Sequence, residues 1–317
     1  MKTKLTTLLC SLATVLGLAS SLPAAEQLLI IGDSLSKEYE YELPGIGGNS
    51  KAKGIMCWSE ILDDKRHSYF DFGSSKTYGD LRLIGHKYNW SVPGSFADDW
   101  VDYLSSGVVL DYVYGINTLS SQLKNEADRV VIFVGGNDIR VNYESIYKGT
   151  SPTKFINDTF NEIEDIVNWV RNKKSSLEIV LVSVPHIGCT PKTSKAHPYS
   201  ALKTGRVTAA LTTLNNKLAT FAKSKKIGFC NDVFEITKGL LTTEYFTIGG
   251  VKIYKNPPHA DGNPYYLFLG DGFHPNQPCQ AIFAQRILDT FNSAYKHNFP
   301  RLTDQEILKD ILKIPAP

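Results

Sequence analysis

Leu28-Leu29-Ile30-Ile31-Gly32-Asp33-Ser34-Leu35 decides the fold. A four-residue apolar run closed by glycine is too short for a helix and reads as a buried strand. A serine just past its carboxyl end stands where open α/β sheets assemble their sites. By itself Gly32-Asp33-Ser34-Leu35 is an ordinary turn or helix cap. Three later stretches change its weight, each placed after a strand-like run: Gly94 after residues 88–93, Gly135-Gly136-Asn137-Asp138 after 130–134, and Asp271-Gly272-Phe273-His274 after 265–269.

Between these stretches the pattern alternates. A first helix opens at Trp58, after a glycine-rich loop over 43–54, and Leu119 and Leu123 mark a second over 118–125. Ser151-Pro152 starts a long helix carrying Phe155, Ile156, Phe160, Ile163, Ile166, Val167 and Val170 at helical spacing. Residues 177–184 read as a strand, 201–225 as a helix with Leu211, Leu214, Leu218 and Phe221 on one face, and 227–233 as another strand. Pro278 opens the last helix, with Ile282, Phe283, Ile287, Leu288 and Phe291 turned inward. Such alternation predicts a doubly wound, mostly parallel sheet covered on both faces.

The first 25 residues have the makeup of an export signal: Lys2 and Lys4, an apolar core over 5–18, then small residues over 19–25. That core is too short to span a bilayer, which needs about 20 residues. Removing it leaves about 290 residues, suited to one α/β domain. The predicted division is signal 1–25, main domain 26–297 and a peripheral tail 298–317, in a secreted or periplasmic protein. With 34 Lys and Arg against 32 Asp and Glu the net charge is +2, and no basic field points to nucleic acid. Sixteen tyrosines and four tryptophans suit sugar or mixed polar and apolar ligands as well as a large core. Cys57, Cys189, Cys230 and Cys279 remain after the signal, an even number that in an exported chain permits two disulfides of open pairing. No Cys or His spacing suits a metal, and no cofactor is expected.

The four blocks in this order resemble the signature of the SGNH/GDSL hydrolases, over about residues 27–291, with Ser34, Gly94, Asn137 and His274 as the matching positions. The resemblance implies a three-layer α/β/α, flavodoxin-like fold and ester hydrolysis. Val184-Pro185-His186-Ile187-Gly188-Cys189-Thr190-Pro191 is similar to a loop of the longer, secreted GDSL lipase/esterase branch.

The residues fit that chemistry. Serine hydrolysis needs a nucleophile, a base, a group that orients the base, and oxyanion donors. Ser34 is the candidate nucleophile. His274 is the base, since imidazole accepts and returns a proton near neutrality. Asp271, three residues earlier on one loop, is the orienting acid. The resemblance assigns the oxyanion donors to the backbone N–H of Ser34, the backbone N–H of Gly94 and the side-chain amide of Asn137. A second Asp-x-x-His, Asp64 to His67, lies in a charged stretch and reads as solvated surface. Asp33 and Asp138 read as structural carboxylates that fix their turns, Asp261 as a rival acid of poorer spacing, and His86, His186 and His197 as surface or loop residues. The expected activity is a secreted serine esterase acting on acylated carbohydrates or short-chain esters. Alternatives are a lipase or phospholipase using the apolar stretch 108–116 as an acyl groove, an acyltransferase, or a catalytically silent glycan-binding module.

Overall fold

Alternate residues of the first apolar run face opposite ways. Leu28 and Ile30 enter one hydrophobic core, Leu29 and Ile31 the other, and all four are wholly buried. A strand buried on both faces is what a parallel sheet between helix layers requires. The computed structural model describes residues 25–39, 54–106, 115–259 and 262–315. The signal segment, most of the loop 43–54, Asp261 and most of the stretch 108–116 lie outside the described residues.

The elements run in the order β1 (Glu26–Gly32), α1 (Trp58–Arg66), β2 (Phe70–Asp71), β3 (Ser75–Thr77), β4 (Ile84–His86), α2 (Ala97–Ser106), α3 (Ile116–Asn125), β5 (Arg129–Phe133), α4 (Gly136–Lys148) and α5 (Thr153–Lys173). After these come β6 (Glu178–Val182), α6 (Pro191–Ala196), α7 (Ala201–Lys225), β7 (Gly228–Cys230), α8 (Asp232–Gly239), β8 (Tyr245–Ile248), β9 (Val251–Tyr254), α9 (Gln277–Tyr295) and α10 (Asp304–Glu306). The central sheet has the order β2-β1-β5-β6-β7, every pair parallel. Counted along the chain its five strands stand 2-1-3-4-5, the flavodoxin-like order, so the predicted class holds. Helices α2, α3, α4, α5 and α7 contribute to the core on one face, α1 and α9 to the core on the other, and α8 reaches both through Phe234 and Val233.

Several expectations need correction. Residues 88–93 form no regular strand; they take over from β2 along β1, through Ile30 N to Tyr88 O at 2.9 Å and Val92 N to Gly32 O at 3.0 Å. Residues 265–269 are not in the central sheet either, and instead bridge Tyr266 to Tyr254 beside the β8–β9 hairpin. The strand expected over 227–233 stops at Cys230, because Asn231 begins α8.

The C-terminal tail is not peripheral. Leu302, Ile307, Leu308, Ile311, Leu312 and Ile314 are buried in the core beneath α1 and α9. Arg66 fastens it, with a two-pronged ion pair to Glu306 at 2.8 Å on each arm and donations to the carbonyls of Pro300 and Arg301. Planar guanidinium matches carboxylate geometry, and this makes the clamp directional.

All four described cysteines are free and buried, so the disulfide expectation fails. Burial raises the thiols of Cys189 and Cys230 to about 12, and that of Cys57 well above its ordinary value. They behave as small apolar side chains.

Candidate active site

The sheet order reverses beside β1, which opens a crevice between the carboxyl ends of β1 and β5. Ser34 follows the first of these strands and Asn137 the second. Asp33 makes the turn that presents Ser34: its Oδ1 accepts the Leu35 N–H at 2.8 Å, and its carbonyl accepts the Ser36 N–H at 3.1 Å. The side chain acts as predicted, as an Asx turn.

A second loop brings His274. The Leu269 N–H donates to the His274 carbonyl at 2.9 Å, and the Gly272 N–H to the Leu269 carbonyl at 2.9 Å, closing a tight turn in which Gly272 has φ +69°. That left-handed conformation strains an L residue with a side chain. Asp271 Oδ1 accepts the N–H groups of Phe273 and His274 at 2.8 and 3.0 Å, while Oδ2 meets His274 Nδ1 in a short contact. Burial opposes ionisation of Asp271, but the His274 ring and the two backbone donors outweigh it and hold the carboxyl below its usual range. His274 Nε2 then lies 3.1 Å from Ser34 Oγ. With Asp271 accepting from Nδ1–H, Nε2 is left as the acceptor for the serine proton.

The three oxyanion candidates lie on loops stitched to one another. Val92 N and Trp100 Nε1 both donate to the Gly32 carbonyl, two residues before the serine, and the Ser95 hydroxyl beside it donates to the Val92 carbonyl at 2.9 Å. Asn137 Nδ2 donates to the Ser95 carbonyl at 2.9 Å, and its Oδ1 accepts from Arg140 Nε at 3.0 Å. Both ends of the amide are thereby fixed, with one Nδ2 proton uncommitted. Among the described residues no acceptor takes the backbone N–H of Ser34 or Gly94. Gly94 has φ +84° with open space where a Cβ would stand. Asn137 is not on a plain turn: Gly135, at φ +101°, caps α4, and Asn137 sits in its first turn.

Beneath Ser34 a narrow cavity of about 40 Å³ runs inward between Leu35, Ile187, Leu240, Phe268, Phe273 and Phe283, with Cys189 and Cys279 also on its wall.

Other titrating groups fall into place around this set. Burial, partly offset by the Leu35 N–H and reinforced by Asp138, raises Asp33 to about 7. Burial likewise raises Asp138 to about 6; its carboxylate accepts the Ala97 N–H at 3.3 Å and ties α4 to α2, where an own-turn bond was expected. His186 is wholly buried, contrary to the surface reading, and burial lowers it to about 4. Its Nδ1 accepts the Gly188 N–H, so the neutral ring donates Nε2–H to Thr208 Oγ1 at 3.0 Å. His86 pairs with buried Glu38 at 3.1 Å, and His197 packs against Tyr143 and Tyr147. Asp64 and His67 are exposed, as expected, with Asp64 on Lys65. Among the described residues no three His, Cys, Asp or Glu side chains converge as metal ligands.

Two supporting residues escaped the sequence reading. Tyr39 donates its hydroxyl to the Pro275 carbonyl at 2.8 Å, next to His274. Gln280, on α9, donates to Leu35 O and Tyr39 Oη while its Oε1 accepts the Trp58 N–H. They brace the serine turn against the histidine loop. No local pattern marks them, since their partners are more than 200 positions away along the chain.

A family model described as GDSL-like Lipase/Acylhydrolase matches residues 28–287. No curated protein sequence matches the chain. Among solved structures, a lipase from a goat rumen metagenome is similar at 12% identity and a TM-score of 0.50, over 84% of this chain and 97% of that one. Phospholipase A1 from Streptomyces albidoflavus is similar at 14% identity and a TM-score of 0.49, over 84% and 100%. A carbohydrate esterase family 3 protein from Talaromyces cellulolyticus is similar at 11% identity and a TM-score of 0.45, over 86% and 100%. At such identities the likeness is one of fold.

Proposed function

This chain belongs to the GDSL-like lipase/acylhydrolase family and is a hydrolase of ester bonds, and on that premise we propose that it is a serine esterase for short acyl groups, with Ser34, His274 and Asp271 as its triad. The observation that carries the reading is the single relay from Ser34 Oγ to His274 Nε2 at 3.1 Å and from Nδ1 to Asp271, which opens onto the cavity. Ser34 Oγ attacks the ester carbonyl as Nε2 takes its proton. The oxyanion forms against the N–H groups of Ser34 and Gly94 and the remaining Nδ2 proton of Asn137. His274 returns the proton to the departing alkoxide, and Asp271 holds the imidazolium in register. Water, deprotonated by the same nitrogen, then releases the acid.

The cavity supports a small acyl group. It is small and walled by bulky apolar side chains, Leu240, Phe268, Phe273 and Phe283 among them, which suits a short acyl chain better than a long one. Residues 1–25 serve in this reading as an export signal, so the enzyme would act outside the cytoplasm. Among the described residues no helix is long and apolar enough to cross a membrane.

The test is covalent trapping. A fluorophosphonate should label Ser34, identified by peptide mass spectrometry, in wild type and not in Ser34→Ala. Turnover of p-nitrophenyl esters should fall steeply as the acyl chain lengthens from acetyl. Label elsewhere, or octanoate turned over as well as acetate, would overturn the nucleophile and the acyl size respectively.

A further inference from the structure

The β8–β9 hairpin shows two unlike faces. Its register pairs Tyr245 with Tyr254, Phe246 with Ile253, and Thr247 with Lys252. Side chains alternate across a strand, so Phe246, Ile248 and Ile253 turn to the core and Tyr245, Thr247, Lys252 and Tyr254 turn outward. Past the hairpin, Tyr254 N donates to Tyr265 O at 2.7 Å and Leu267 N to Tyr254 O at 2.9 Å, which sets Tyr266 beside Tyr254. The rings form a row: Tyr245 to Tyr254 at 6.1 Å, Tyr254 to Tyr266 at 6.5 Å, and Tyr266 to His259 at 4.0 Å between centroids. The far end of the row is tied by backbone to the stretch that carries the histidine loop: the His259 N–H donates to the Phe268 carbonyl, and the N–H of the next residue, Leu269, donates to the His274 carbonyl.

This aromatic surface is not a by-product of packing. Of seven large apolar or aromatic residues exposed among the described residues, Tyr245 and Tyr254 of the row are two, at 39 and 41%, and Tyr265 next to it is a third, while Tyr266 is half-buried against His259. An outward hairpin face serves solubility better with charged side chains. Tyrosine rings offer flat apolar faces edged by hydroxyls, and a sugar ring offers the complement, a C–H face edged by hydroxyls. A lipid surface fits poorly. The outward positions carry no aliphatic side chain and a single lysine, where interfacial binding needs an apolar face with clustered basic residues.

We infer that the row Tyr245, Tyr254 and Tyr266 is a glycan-binding platform that holds the carbohydrate portion of the ester and leads it to Ser34. Neighbouring ring planes turn by 65° and 45°, which suits a twisted soluble polysaccharide chain and not a flat crystalline face. On the esterase reading above, the platform makes the substrate an acylated polysaccharide, with the acyl group in the cavity and the sugar chain along the hairpin.

The test separates binding from chemistry by using the full chain in a Ser34→Ala background. Affinity electrophoresis on soluble deacetylated xylan and glucomannan should retard this protein. Adding Tyr245→Ala and Tyr254→Ala should weaken Kd at least tenfold with an unchanged thermal midpoint, whereas Tyr254→Phe should retain binding. With Ser34 intact, the double substitution should raise KM for acetylated xylan and leave kcat within twofold. Equal retardation of parent and double variant overturns the platform, as does no retardation by either glycan. So does tyrosine-dependent binding to phosphatidylcholine/phosphatidylglycerol vesicles in place of glycan. Failure of the serine to label, with binding intact, would strike only the nucleophile assignment.

Discussion

Asp33→Asn should stabilise the protein above neutrality and change nothing below pH 4. Asp33 is 1% exposed, and burial, reinforced by repulsion from Asp138, raises its carboxyl from 3.8 to about 7. The unfolded chain releases this proton near pH 4 while the folded chain keeps it to about 7. Wild-type stability therefore falls as pH rises between those values, and the whole penalty is present at pH 8. Three decades in proton affinity, at 1.36 kcal/mol each, set an upper figure of about 4 kcal/mol. Relaxation around the site reduces it, so about 2 kcal/mol is a reasonable expectation. Asparagine keeps an Oδ1 for the Leu35 N–H and carries no charge. Urea unfolding of both proteins at pH 5, 6.5 and 8 gives the difference at each pH. A constant offset would report how the amide packs; the slope reports the charge. A difference that stays level from pH 5 to 8, or that grows toward acid, would refute a buried carboxylate penalty at this turn.

Asn137→Ala should lower kcat by about 10²–10³, the usual loss for one oxyanion donor; a loss under threefold in p-nitrophenyl acetate turnover would remove Asn137 from that role. His274→Ala should abolish turnover while His67→Ala leaves it within twofold, and equal losses would mean that the wrong Asp-x-x-His had been chosen. Cys57, Cys189, Cys230 and Cys279 should resist a thiol-specific disulfide reagent in the native protein and react fully in denaturant without reductant. Thiols that appear only after reduction would contradict the free, buried cysteines of the structure.

What could be read from the sequence was local. The run from Leu28 to Ile31 announced a doubly buried strand, and Asp271 and His274 announced a shared loop, because a few adjacent residues hold the whole signal. What could not be read depended on distance or on a competing local cue. Gly135-Gly136-Asn137 looks like a turn, but a left-handed Gly135 starts a helix there. The tail's burial goes unmarked because Ile307, Leu308, Ile311 and Leu312 span fewer than two helical turns, too short a window for periodicity to stand out. The cysteine count suggests pairing, yet the four thiols are free: Cys189, Cys230 and Cys279 lie in the apolar core, and Cys57 Sγ lies 3.0 Å from Ser59 Oγ. His186 has no sequence mark of burial at all; Thr208, on α7, supplies the partner that makes it tolerable.

The bond between Ser34 and His274 joins positions 240 residues apart. A chain emerging from a ribosome or threading through a pore thus carries its serine first and its histidine almost last. Until α9 arrives there is no Gln280 to brace the serine turn and no base to activate it. On the proposed triad the unfinished polypeptide is chemically mute, and the onset of hydrolysis during refolding would time the closing of the molecule's two ends upon each other.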